Sequence, residues 1–128
     1  MKKVSNKNVL FPGLILCFLI FGCSNNDYST NNGGNGNNTP AANEVWMQNT
    51  LFNPKSKTVN KGTEITWINK DSFDHTVTSG TPNNPDGLFD SGTIGSGGTF
   101  KRTFDSAGTF NYYCKIHQDV MTGTITVQ

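Results

Sequence analysis

Downstream of residue 43, short segments alternate apolar and polar residues and are separated by turns rich in Gly, Asn and Pro. Alternation with a period of two places one side of a strand in a core and the other in solvent, so these segments predict β-strands. No stretch of this region has the periodicity of an amphipathic helix. The predicted strands span residues 44–48, 57–59, 64–69, 76–78, 88–91, 99–104, 109–114 and 123–127.

About seven to eight short strands with turns between them predict an all-β domain, folded as an antiparallel or mixed β-sandwich. Segments 52–54 and 81–86 are predicted to be irregular, because they contain proline and asparagine. A domain over residues 44–128 is long enough for one core. Its bulk is expected from five aromatic side chains, Trp46, Trp67, Phe104, Phe110 and Tyr112.

The N-terminal segment has a different pattern. Residues 1–8 are polar and basic, and residues 9–21 are mostly apolar, which is typical of a secretory signal. The apolar run is too short to span a hydrocarbon core of about 30 Å comfortably. Residues 20–23 resemble a bacterial lipobox, so we expect residues 1–22 to be a lipoprotein signal peptide and Cys23 to be lipidated. An uncleaved N-terminal anchor, or an ordinary signal cleaved nearby, is the alternative.

The segment after Cys23 is a run of Asn, Gly, Ser and Thr with almost no apolar residue. Such a composition cannot bury enough surface to offset the entropy of ordering, so residues 23–43 are expected to be a disordered tether. Twenty such residues would reach roughly 25 Å. We therefore expect an exported protein, lipid-anchored to a bacterial membrane and facing the periplasm or the cell surface.

Charge gives no indication of a nucleic-acid partner. The chain has 10 basic and 9 acidic residues, and three of the lysines lie in the predicted signal peptide. Removing those three leaves 10 − 3 = 7 basic residues against 9 acidic ones, a mature net charge near −2. We expect a monomer that binds no nucleic acid.

Candidate metal chemistry is concentrated in residues 112–121. Cys114, His117 and Met121 lie within eight positions, and His75 lies 39 residues upstream of the cysteine. Cys114 is the only cysteine beyond position 23, and an unpaired cysteine in an exported domain is a reactive thiol or a metal ligand. Thiolate, imidazole and thioether together suit copper.

Other interpretations of the same residues remain open. Taken singly, His75 is as well explained as a histidine at a strand end, and Met121 as a core methionine. A zinc site could also be built from the two histidines and the cysteine, although methionine is a poor ligand for zinc.

Four segments, residues 64–71, 74–77, 108–117 and 121–127, resemble the plastocyanin, pseudoazurin and amicyanin group of cupredoxins. The resemblance runs from about Val45 to the C-terminus and includes residues 86–92. It implies a Greek-key β-sandwich with one type 1 copper at one end. It also implies the copper ligands, with three equatorial residues and one axial methionine, namely His75, Cys114, His117 and Met121.

Two positions depart from the pattern of that group. The step from His117 to Met121 is four residues, which differs from the spacings usual there. Thr76 stands where an asparagine often joins the two ligand loops. The resemblance therefore leaves the axial bond and this connection as open questions for the structure.

The implied function is transfer of single electrons through Cu(I)/Cu(II). The expected partners are extracytoplasmic redox proteins, such as a c-type cytochrome or a copper or haem enzyme, which would dock beside apolar Ile116 and Val120. A module for copper storage, delivery or sensing is the alternative. We do not expect an enzyme, because four protein ligands leave no open position on the metal.

Overall fold

A computed structural model describes residues 38–128. The predicted signal peptide, the predicted lipidation site Cys23 and the predicted tether as far as residue 37 lie outside the described residues. No helix within residues 38–128 is long and apolar enough to cross a membrane. The elements are β1 (Glu44–Gln48), β2 (Leu51–Asn53), β3 (Ser56–Val59), β4 (Thr63–Asn69), β5 (Thr78–Thr81), β6 (Asn84–Asp90), β7 (Thr99–Phe104), β8 (Gly108–Tyr113), a short 3-10 helix (Gln118–Val120) and β9 (Thr122–Val127).

The strands form two sheets, one of four strands in the order β2-β1-β4-β7 and one of five in the order β3-β9-β8-β5-β6. β1 pairs with β4 and β3 pairs with β9 in parallel, whereas the other pairs are antiparallel. The chain crosses from one sheet to the other more than once. β1 and β2 lie in the four-stranded sheet, β3 lies in the five-stranded sheet, and β4 lies in the four-stranded sheet again. The all-β Greek-key sandwich predicted from the sequence is confirmed.

Two segments that were predicted to be irregular are strands joined by tight turns. Asn49 and Thr50 have φ values of 56° and 62°, and this two-residue turn folds β2 back onto β1, with Phe52 opposite Met47. Pro82 and Asn83 likewise connect β5 to β6. Each turn takes only two residues, so the residues next to it already belong to strands.

The core lies between the sheets and is centred on Trp67, which is fully buried. In β4 every second side chain points inward, as its alternating sequence predicts. Trp67 packs against four aromatic rings with centroid distances from 5.4 to 6.3 Å, those of Phe89, Phe100, Phe104 and Tyr112. Of the five aromatic residues expected in the core, four are buried and Phe110 packs against the cluster while partly exposed.

The contact between β8 and β9 depends on a glycine. Tyr112 pairs with Gly123 across the sheet, and a Cβ at Gly123 would overlap the tyrosine ring. The ring of Tyr112 also packs edge-on against Phe52, with centroids 4.7 Å apart. The absence of a side chain at Gly123 therefore leaves room for the large ring of Tyr112, two residues before Cys114.

Candidate metal centre

The four residues predicted as ligands lie where strands end or begin. His75 precedes β5 and pairs with Ile94 in an isolated bridge, and Cys114 directly follows β8. His117 and Met121 flank the 3-10 helix that leads into β9. His75, Cys114 and Met121 are fully buried, whereas His117 is partly exposed. The sandwich therefore collects these residues from two distant parts of the chain.

The side chains of His75, Cys114 and His117 converge. Cys114 Sγ lies 3.8 Å from His75 Nδ1 and 3.5 Å from His117 Nδ1, and the three ligand atoms all lie within 4.8 Å of one another. A metal bound at roughly 2.0 Å from a nitrogen and 2.3 Å from a sulfur, with a bond angle between tetrahedral and trigonal, places that nitrogen and that sulfur about 3.5–3.7 Å apart. The two distances from Cys114 Sγ to the imidazole nitrogens are therefore close to those that a shared metal would require.

Met121 is held beside the cysteine through its main chain. The Cys114 N–H donates to the carbonyl oxygen of Met121 at 3.0 Å. Between His117 and Met121 the chain makes one 3-10 turn, in which the N–H of Val120 donates to the His117 carbonyl oxygen at 3.2 Å. This turn is the physical reason for the four-residue step, since it returns the chain to β9 within that distance.

Thr76 connects the two ligand-bearing segments. Its backbone N–H donates to Cys114 Sγ at 3.3 Å, and its hydroxyl oxygen accepts the N–H of Lys115 at 2.8 Å. The two hydrogen bonds fix the Cys114 sulfur and the start of the following loop against the segment that carries His75. Threonine thus supplies here the link between the ligand loops that the resemblance had left open.

Asp71 is a residue that the sequence analysis did not select. Its Oδ2 lies 2.9 Å from His75 Nε2, on the side of the ring that faces away from Cys114. Burial alone would raise the pKa of the Asp71 carboxyl, but the N–H groups of Asn49 and Thr50 and the ring of His75 together hold it below its ordinary value. A carboxylate that fixes a ligating histidine is a common partner of metal sites. The only sequence signal was an aspartate four positions before a histidine.

His117 is the candidate ligand nearest to solvent. Burial and the neighbouring His75, whose ring centroid is 4.9 Å away, lower the pKa of His117 below its ordinary value. A lowered pKa favours the neutral ring, which has a lone pair for a metal. Among His75, Cys114, His117 and Met121, only His117 is partly exposed, so solvent comes closest to the cluster at this residue.

An apolar patch surrounds His117. Phe73 lies with its ring centroid 5.1 Å from that of His75 and 5.6 Å from that of His117, and it is 44% exposed. Ile116 and Val120, which were expected from the sequence to flank the site, are 51% and 64% exposed. Phe73 has no sequence signal that marks it, because only the fold brings its ring next to the two imidazole rings.

Comparisons with known proteins agree with this geometry. The family described as copper binding proteins, plastocyanin/azurin family, matches residues 40–128. A plastocyanin from Scenedesmus fuscus is 34% identical over 85 residues, which cover 61% of this chain and 87% of that protein.

Solved structures share the fold. A novel purple cupredoxin from Nitrosopumilus maritimus has a TM-score of 0.61 and 26% identity, covering 66% of this chain and 98% of that one. The Cu-containing nitrite reductase (NirK) from Thermus scotoductus SA-01 has a TM-score of 0.59 and 26% identity, covering 70% of this chain but 22% of that one. Because the family match extends over more than half of the sequence, the chain belongs to the copper-binding cupredoxins of the plastocyanin/azurin family, and its cofactor is copper.

Proposed function

We propose that this protein is a membrane-tethered type 1 copper protein that carries single electrons between extracytoplasmic redox partners. The observation that carries the proposal is the convergence of Cys114 Sγ with the Nδ1 atoms of His75 and His117, at 3.8 and 3.5 Å. Copper held there would supply a Cu(I)/Cu(II) couple. We propose these three residues as the equatorial ligands and Met121 as the axial one.

The ligand side chains are held by the protein itself. His75 forms two backbone hydrogen bonds with Ile94, at 3.1 and 2.8 Å, and its ring is fixed by Asp71. Cys114 is fixed by the end of β8 and by Thr76. Ligands fixed by such contacts move little when the charge on the metal changes. Small rearrangement favours rapid electron transfer, which supports a carrier.

The apolar patch of Phe73, Ile116 and Val120 is the proposed docking surface. All three residues adjoin His117, and their exposed fractions range from 44% to 64%. A small apolar surface around a partly exposed ligand fits the weak and transient encounters of redox proteins. A c-type cytochrome or a copper or haem enzyme would be a suitable partner, because each presents a redox centre to such a surface.

The burial of the ligands favours a carrier over a delivery module. Cys114 and His75 have no exposed surface, so an acceptor protein could reach the metal only past His117. An enzymatic role is not proposed either. The nitrite reductase is matched over 22% of its length, so this chain corresponds to a fraction of that enzyme.

Electron self-exchange tests the carrier proposal together with its docking surface. We expect the copper-loaded protein to exchange electrons with itself rapidly, and to release copper to a chelator much more slowly. Val120→Asp should slow self-exchange by roughly tenfold or more at low ionic strength, because two negative charges would then meet in each encounter. Line broadening in NMR spectra of mixed oxidation states measures the rate.

Leu88→Asp is the matched control for that variant. Leu88 is 52% exposed, but it lies in β6 beside Phe104 and Phe110 rather than beside His117. It should leave self-exchange nearly unchanged. Equal slowing in both variants would contradict docking through the apolar patch, and rapid copper release with slow self-exchange would favour delivery over electron transfer.

The membrane tether is supported by the lipobox-like sequence that ends at Cys23 and by the polar segment that follows it. Cys23→Ser should abolish incorporation of a radiolabelled fatty acid into the protein, because a serine cannot carry the thioether-linked lipid. Cys17→Ser, the matched change inside the apolar run, should leave incorporation unchanged. Equal incorporation in Cys23→Ser and the native protein would contradict lipidation at Cys23.

A further inference from the structure

The Asp71 carboxylate joins the β1–β2 turn to the buried side of the metal centre. Oδ1 accepts the N–H of Asn49 at 2.8 Å. Oδ2 accepts the N–H of Thr50 at 3.1 Å and lies 2.9 Å from Nε2 of His75. The Asp71 side chain is only 10% exposed and that of His75 is fully buried. The carboxylate is therefore surrounded by hydrogen-bond donors in a place with little water.

Asp71 is also held from the other direction. Its own N–H donates to Oδ1 of Asn69 at 2.9 Å, and Asn69 is the buried last residue of β4. The Nδ2 group of Asn69 donates to the carbonyl oxygens of Phe73 and Ile94, at 2.8 and 2.9 Å. Both β1 and β4 thus fix where the carboxylate lies. Its position against His75 does not depend on any exposed, freely rotating side chain.

We propose that Asp71 is a positioning residue that lowers the reduction potential of the copper site. The inference rests on the proposed electron-carrier function. A carboxylate that accepts the Nε2 proton of His75 directs the Nδ1 lone pair towards Cys114 and makes that nitrogen a stronger donor. A fixed negative charge in a poorly solvated position also favours the more positive state of a nearby metal. Both effects stabilise Cu(II) relative to Cu(I).

The test compares Asp71→Asn with Asp74→Asn. Asp74 adjoins His75 in the chain and has the same charge, but it is exposed. Asp71→Asn keeps an oxygen that can accept hydrogen bonds and removes the charge. It should shift the Cu(II)/Cu(I) equilibrium of the loaded protein about tenfold towards Cu(I), which is about 59 mV for one electron. The shift in Asp74→Asn should be several-fold smaller, since solvent and salt screen its charge.

The outcomes separate this inference from the proposed function. The positioning role is wrong if Asp71→Asn keeps both the visible spectrum and the reduction potential of the native protein. It is also wrong if Asp71→Asn and Asp74→Asn shift the reduction potential equally. In either case the electron-carrier proposal stands. A native copper-loaded protein without thiolate-to-copper absorption would instead overturn the proposed function.

A measurement on the unmodified protein covers the case in which Asp71→Asn does not fold. In the reduced, copper-loaded protein, the Nε2 proton of His75 should give a downfield NMR signal that exchanges slowly with water. The downfield position requires a strong hydrogen-bond acceptor at Nε2, and Oδ2 of Asp71 lies 2.9 Å from that atom. Rapid exchange at that position would overturn the inference.

Discussion

Replacing Cys114 with serine is expected to abolish the intense visible absorption of the oxidised, copper-loaded protein. Cys114 is the free cysteine among residues 38–128, and its Sγ lies 3.5 and 3.8 Å from the two facing imidazole nitrogens. The absorption depends on a bond between thiolate and Cu(II), and a serine hydroxyl is a much poorer ligand for copper at neutral pH. Loss of a residue that only hydrogen-bonds to a metal ligand typically lowers affinity by roughly 10–100-fold. Loss of Cys114, which we propose binds the copper itself, should lower copper affinity by more than that.

The fold of the Cys114→Ser variant should survive. Serine is slightly smaller than cysteine, and its hydroxyl can accept the backbone N–H of Thr76, which now donates to Cys114 Sγ. Circular dichroism and the urea midpoint of the copper-free variant should therefore stay close to those of the native protein. A folded variant that still shows the visible band would remove Cys114 from the proposed ligand set.

The residue types and their spacing predicted the clustering of His75, Cys114 and His117 better than the contacts that hold these side chains in place. Cys114 and His117 are three positions apart, and the strand before them fixes their direction, so a short loop was enough to bring them together. His75 was selected for its residue type, and the fold brings it to the same place. Chemistry carried by residue type can thus be recognised before the topology is known.

The supporting contacts could not be predicted because they join residues that lack a local pattern. Asp71 accepts hydrogen bonds from Asn49 and Thr50, which are 22 and 21 positions away. Those two residues form a turn between strands, and β2 was itself predicted to be irregular. Without that hairpin, nothing in the sequence indicates that a backbone turn lies next to a carboxylate that holds His75.

Alternation predicted the strands that have one buried side but missed the short strand β2 and the exposed beginning of β6. In β4 and β9 every second side chain is buried, and both elements were predicted within one residue of their bounds. In β6 only Phe89 is buried, so most of that strand has no apolar pattern. The beginning of β6 was predicted to be a loop. It is a strand because it pairs with β5, and such pairing leaves no apolar pattern in the sequence.

Trp67→Ala is expected to lower the free energy of unfolding of the copper-free protein by about 3–5 kcal/mol. Trp67 is fully buried and contacts four aromatic rings drawn from both sheets, with centroids as close as 5.4 Å. Removing the indole would leave a cavity that these large, rigid rings cannot fill by small movements. Urea denaturation followed by circular dichroism measures the change.

Trp46→Ala is the matched control because it deletes the same side chain outside the central cluster. Trp46 is 8% exposed at the edge strand pair, where its Nε1 donates to Glu44 and Lys70 lies over its ring. Solvent can enter the space left there, so the loss should be clearly smaller than for Trp67. Equal losses would mean that Trp67 is not the centre of the core. The larger loss should also weaken copper binding, since β4 runs from Trp67 directly to Asn69, which holds the loop that carries Asp71 and His75.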